Sequence, residues 1–128
     1  MVYVVHIMKK VLIVEDEEDI LNLVRIILEI SGYEVITAQD GYQGLELIKK
    51  KPDLIILDLM MPGMTGWEYL DKIRSEGYSN IPVIVLTANA QISTIETAIN
   101  KKVDDCIVKP FDRDDLLLKV KAILSNQN

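Results

Sequence analysis

Cysteine appears once in these 128 residues, so no internal disulfide can form, and a reducing cytoplasm is the simplest setting. A chain of this length buries a sizeable core without disulfides or metals to hold it. Positive charge is also scarce. Fourteen Lys and Arg face twenty Asp and Glu, for a net charge of −6, which argues against direct binding to nucleic acid or to an anionic membrane surface. No apolar run approaches the ~20 residues of a membrane span. The opening MVYVVHI is apolar, but it lacks the charged start and small-residue cleavage site of a signal peptide. Because Met8-Lys9-Lys10 looks like a second start, residues 1–7 read as an extension and residues 8–128 as one domain. There is no linker, fixed-period repeat or low-complexity tract.

What is present alternates between two kinds of segment. Lys10 to Val14 reads as a buried strand and runs into five consecutive acids, Glu15 to Asp19. Glu17, Glu18 and Asp19 are expected only to complement the dipole of the following helix. That helix carries Ile20, Leu23, Val24, Ile27 and Leu28 at helical spacing and stops at Gly32. Glu34 to Ala38 is a second strand. Asp40 and Gln43 resemble a capping box for a helix turning Tyr42, Leu45 and Ile48 inward. Leu54 to Leu57 is uniformly apolar, like a strand buried on both faces of a parallel sheet; it ends in Asp58, and Pro62-Gly63 forbid its continuation. Thr65 can cap a helix with Trp67, Leu70 and Ile73 on one face, while Gly63 and Gly66 read as turn signals. Val83 to Thr87 is a fourth strand, followed by a helical stripe of Ile92, Ile95, Ile99 and Val103, expected in the core. Cys106 to Val108 ends in Lys109-Pro110. Asp112 then opens a last helix with Leu116, Leu117, Val120 and Ile123 inward and Lys119 and Lys121 outward.

Five βα units in succession predict an α/β fold with one parallel sheet and helices on both faces. In such a sheet all strand exits share an edge. Glu15-Asp16, Asp58, Thr87 and Lys109 all stand at strand exits, so residues distant in sequence converge there. Any one of these acids could be only a helix cap, but three carboxylates, a hydroxyl and an ammonium are chemically complementary. Clustered carboxylates repel, so a hard divalent cation or the lysine must keep them ionised. Mg²⁺ suits one or two carboxylates, a backbone carbonyl, water and a phosphoryl oxygen. Asp58 could then accept a phosphoryl group, with Mg²⁺ and Lys109 offsetting its charge and Thr87 donating a hydrogen bond. His6 reads as an ordinary extension residue, and Cys106 as a small buried hydrophobe.

The segments VLIVEDEED, LIILDLMMPGMTGWEYL, VIVLTANA and DDCIVKPFD together resemble the receiver domain of two-component response regulators, over Lys10 to about Leu124. The resemblance implies a flavodoxin-like fold with strand order 2-1-3-4-5. It also implies that Asp58 is the phosphoacceptor, supplied by a phosphohistidine on a sensor kinase or phosphotransfer protein. Glu15 and Asp16 match the acidic pair, and the implied Mg²⁺ set is Glu15, Asp16, Asp58 and the Met60 carbonyl. Thr87 and Lys109 match the switch hydroxyl and the lysine of the KPF motif. Met60 and Asn89 fall at positions that tune phosphoryl lifetime, and Ala88 leaves room for the incoming group. Output is implied through the fourth helix, fifth strand and fifth helix, from a monomer or a weak phosphorylation-dependent dimer.

Four positions depart from the family pattern: Cys106 replaces the switch aromatic, Lys102-Val103 replace Gly-Ala, and Thr65 stands where an acid is usual. The first expectation is a stand-alone, non-enzymatic receiver that signals by protein contact. The alternative is a binding module of the same fold that works without phosphorylation. A hydrolase is disfavoured, because the second acid that such enzymes need two residues after the nucleophile is here Met60.

Overall fold

The computed structural model describes residues 8–89 and 91–125; the expected extension, residues 1–7, lies outside the described residues. Five parallel strands, β1 (Lys10–Val14), β2 (Glu34–Ala38), β3 (Leu54–Asp58), β4 (Val83–Thr87) and β5 (Asp105–Val108), form one sheet in the order β2-β1-β3-β4-β5. Between and after them run α1 (Glu18–Ile30), α2 (Gly41–Leu47), α3 (Gly66–Ser75), α4 (Ile92–Asn100) and α5 (Arg113–Ser125), with a short 3₁₀ turn at Ile48–Lys50. This is the flavodoxin-like arrangement, with β1, β3 and β4 in the interior of the sheet.

The apolar strands explain the layering. Side chains alternate across a strand, so each β-strand supplies both cores. Val11, Ile13, Leu54, Ile56, Ile84, Leu86 and Ile107 meet Leu21, Val24, Ile27 and Leu28 of α1 and Leu116, Val120 and Leu124 of α5. Leu12, Val14, Ile55, Leu57, Val83 and Val85 point the other way, onto Tyr69, Leu70 and Ile73 of α3 and Ile48. β3 and β4 are buried along their whole length and β1 along nearly all of it, whereas β2 and β5 are only partly covered.

Several helix ends follow their sequence signals. Thr65 and Glu68 form a reciprocal capping box at α3. Asp40 accepts from the Gln43 N–H, although the Gln43 side chain reaches the Gln39 N–H instead of closing the box on Asp40. Gly32 takes φ +95° after α1, where its N–H and that of Tyr33 satisfy the carbonyls of Glu29 and Leu28.

Other expectations are corrected. Ile92, Ile95 and Ile99 are 74%, 46% and 68% exposed, and the buried residue of α4 is Ala98. Their spacing does put the isoleucines on one side, but that side lies about a quarter-turn from the covered one, given ~100° per residue. Periodicity tells which residues share a face; it does not tell which face is covered. Leu23 is likewise exposed and Leu21 buried in its place, because α1 is apolar on two sides. Tyr42 is exposed, since α2 turns Gly41 and Gly44 inward against Met64 and Tyr69. Lys119 is not directed freely outward: its ammonium donates to the Cys106 carbonyl at 3.0 Å and pairs with Asp115 at 3.2 Å. The strand β5 starts one residue earlier than expected, at Asp105.

Candidate phosphoacceptor site

The strand exits do converge. Glu15 follows β1 and is fully buried, and Asp58 closes β3 at 2% exposure. With Asp16 they place one oxygen each within 4.8 Å of the others. Lys109, just past β5, reaches in from the far side, with its Nζ 2.5 Å from Glu15 Oε1 and 3.5 Å from Asp58 Oδ1. The first of these is an ion pair without hydrogen-bond geometry.

The sheet register explains this placement. Val14 pairs with Leu57, Asp58 with Leu86, and Thr87 with Val108, so the candidate residues leave the sheet within a residue or so of one another. The Lys109 N–H donates to the Thr87 carbonyl at 2.8 Å, fixing where the lysine departs. The Lys109–Pro110 peptide is cis.

Burial sets the electrostatics. Desolvation and the neighbouring Asp58 push the Glu15 carboxyl up to about 8, against the opposing pull of Lys109. Asp16 is raised for the same first reason, desolvation, and then by Asp58. Lys109 is raised by its carboxylate partners despite the opposing cost of burial. Asp16 Oδ1 and Asp58 Oδ2 are buried with no hydrogen-bond donor. A buried carboxylate oxygen without a donor costs at least ~1–3 kcal/mol. A small divalent cation, which prefers oxygen ligands and keeps several waters, satisfies both atoms at once, so the residues present fit Mg²⁺.

Asp58 is held by its surroundings. The Met60 N–H donates to Asp58 Oδ1 at 3.2 Å, while the Met60 side chain is mostly exposed. Thr87 is buried, but its hydroxyl faces Asn89: it donates to the Asn89 carbonyl at 3.1 Å and accepts from the Asn89 N–H at 3.0 Å. The structure therefore brings Glu15, Asp16, Asp58 and Lys109 together, with Thr87 turned into the loop that follows β4.

Two further contributors went unread in the sequence. Gly66, expected only to turn the chain, is pressed against Asp58: an added Cβ would clash with the Asp58 carbonyl oxygen and sit 2.7 Å from the Leu59 Cα. Its N–H donates to the Leu59 carbonyl at 3.0 Å, so α3 begins against the backbone of Asp58 and Leu59. Glu17, expected only to complement the helix dipole, has Oε1 3.7 Å from Lys109 Nζ. The signal for it was the run of five acids, more than one helix start requires.

Comparisons with known proteins agree with this fold. The family model for the response regulator receiver domain matches residues 11–121. The chain is 40% identical over 119 residues to the DNA-binding dual master transcriptional regulator RpaA of Synechocystis, covering 91% of this chain and 49% of that protein. It is 37% identical to the transcriptional regulatory protein CpxR homolog of Haemophilus influenzae, covering 91% of this chain and 51% of that one. It thus spans about half the length of these curated relatives. Among solved structures, Vibrio cholerae chemotaxis protein CheY4 superposes with a TM-score of 0.87 at 34% identity, over 91% of this chain and 99% of that one. A CheY-like receiver domain protein from Methanospirillum hungatei gives 0.85 at 34% identity, over 94% and 96%. The chain belongs to the response regulator receiver domains of two-component systems.

Proposed function

We propose that Asp58 accepts a phosphoryl group from a phosphohistidine on a sensor kinase or phosphotransfer protein, and that the resulting aspartyl phosphate changes the domain's affinity for a protein partner. The observation that carries this reading is the pocket itself: two donorless buried carboxylate oxygens beside an ion-paired lysine. Asp16, Asp58 and the Met60 carbonyl would hold Mg²⁺ directly, with Glu15 beside them. Bound there, the cation supplies charge neutralisation to the acids and to the phosphoryl oxygens.

The chain's own groups do the rest. The Met60 N–H restrains rotation of the Asp58 carboxylate. Lys109, held among carboxylates, offsets the charge that the phosphoryl group adds, roughly −1.5 to −2. Thr87 can donate to a phosphoryl oxygen only by giving up the Asn89 carbonyl, so modification at Asp58 pulls on the loop leading to α4. That helix is lightly held: of its residues only Ala98 is buried, and it enters neither core. Elements with few buried contacts shift at low cost. The exposed Ile92, Ile95, Ile99 and Val108, with Leu118 of α5, give the α4–β5–α5 surface apolar area for a downstream partner or for weak phosphorylation-dependent dimerisation. A groove beside Lys109, lined by Ile20, Leu23, Ala88, Pro110 and Phe111, offers the donor protein a place to rest.

A net charge of −6 leaves direct nucleic-acid contact outside this domain's role. A cytoplasmic setting belongs to this reading, since the phosphoryl group is to come from a sensor kinase or phosphotransfer protein; among the described residues no helix is long and apolar enough to cross a membrane.

One observation favours a second reading, a binding module that does not use phosphorylation. Cys106 leaves the switch aromatic's place as an open cleft of about 350 Å³ against Ile95, Ile99 and Val103. Incubation with Mg²⁺ and a small acyl phosphate separates the two. The first reading expects one phosphoryl adduct by mass, absent in Asp58→Asn and abolished by EDTA. No adduct favours the second, and sustained turnover of the acyl phosphate would overturn both.

A further inference from the structure

Lys109 meets three carboxylates, and they are not equivalent. An ammonium has three N–H groups. Glu15 at 2.5 Å and Asp58 at 3.5 Å are buried at 0% and 3% side-chain exposure, whereas Glu17 at 3.7 Å is 61% exposed. Glu17 stands at the N-cap of α1, with its N–H directed at Glu15 Oε2 at 3.4 Å. It therefore sits at the solvent side of Lys109, lining the same groove.

A phosphoryl group arriving on Asp58 needs the lysine, whose solvent side Glu17 flanks. Among the three partners, Glu17 is the one that water can replace without leaving a buried ion bare. We infer that Glu17 is a positioning residue that holds the outer side of the Lys109 ammonium and yields it to the incoming phosphoryl group, so that its negative charge slows phosphorylation by dianionic donors. The inference rests on Asp58 being the phosphoacceptor. In the step concerned, an Asp58 carboxylate oxygen bonds to phosphorus while the phosphorus–oxygen bond to the acyl group breaks. That bonding pair leaves on the released carboxylate, and no proton is taken up or lost. Lys109 must turn toward the transferred group as the bond forms, which loosens its contact with Glu17.

The test measures the second-order rate of adduct formation, by mass, with Mg²⁺ and a small acyl phosphate at low ionic strength. An exposed ion pair is worth about 0.2–1 kcal/mol, so Glu17→Gln should speed the reaction about one-and-a-half- to fivefold. Glu17→Lys should speed it further, Glu17→Asp should stay near wild type, and the differences should shrink at about 0.5 M salt. Glu18→Gln is the control, since Glu18 is exposed and forms no ion pair with Lys109 among the described residues. Equal rates across the Glu17 series, or an equal gain in Glu18→Gln, would overturn the inference. No adduct on the wild-type protein would sink the phosphoacceptor reading instead. The ion pair is then read separately from the side-chain ¹⁵N resonance of Lys109 in the unmodified protein. That resonance should move in Glu17→Gln and not in Glu18→Gln, and its failure to move overturns the inference in either case.

Discussion

Neutralising the residue proposed to react should make the metal-free domain more stable. Asp58 has an oxygen within 4.8 Å of oxygens of Glu15 and Asp16, and its Oδ1 lies 3.5 Å from the Lys109 ammonium. At an effective dielectric near 20, each carboxylate repulsion costs at least about 3.5 kcal/mol and the lysine returns about 5 kcal/mol. When all three acids are ionised, Asp58 therefore carries a net penalty of at least about 2 kcal/mol before its desolvation is counted. Where Glu15 keeps its proton, part of the repulsion is avoided by proton uptake. Asp58→Asn removes the charge while keeping the shape. In EDTA at about pH 8.5 it should raise stability by about 1–2 kcal/mol, or roughly 4–8 °C in melting temperature for a domain of this size. Added Mg²⁺ should act the other way. At ten times its dissociation constant a cation stabilises the wild type by about 1.4 kcal/mol, and Asp58→Asn should lose most of that gain. Paired thermal melts of the two proteins, with EDTA and with Mg²⁺, read both effects. A variant that melts lower in EDTA, or a full Mg²⁺ response in the variant, would refute the electrostatic account.

Other expectations concern neighbouring features. The Glu15 carboxyl is raised to about 8, so the folded, metal-free protein holds a proton that the unfolded chain releases near pH 4.5. Its contribution is complete below pH 4.5 and is lost as pH rises through 8, and Mg²⁺ should flatten the loss; urea titrations across that range test the sign. Gly66→Ala should cost more than about 2 kcal/mol in urea unfolding, because the new methyl meets backbone atoms that cannot yield. Gly77→Ala, at φ +98° in open space, should cost only the ~1–2 kcal/mol of the left-handed conformation. Burial, then Asp105, raises the Cys106 thiol above its ordinary range, so alkylation at pH 8 should run slower than for a free cysteine; an equal rate would contradict the placement.

The positions of the strands were written in the chain, because a strand buried on both faces must be apolar throughout, and Leu54 to Leu57 or Val83 to Leu86 have no other reading. The parallel arrangement followed from alternation, and with it the shared edge that gathers Glu15, Asp16, Asp58 and Lys109, while the strand order came from the family resemblance. What the sequence could not decide was which side of a helix is covered when both sides are apolar. Ile92, Ile95 and Ile99 have the spacing of a core stripe, yet Ala98 faces the protein. Only packing against a particular neighbour settles that, and the isoleucines are left exposed. Nor could the chain show that Lys102, placed where the family has glycine, takes φ +56° at the end of α4. The same holds for Glu17 and Gly66. Each owes its part to an atom far away in sequence or across a turn, the Lys109 ammonium for one and the Asp58 carbonyl for the other, and such neighbours exist only once the sheet has closed.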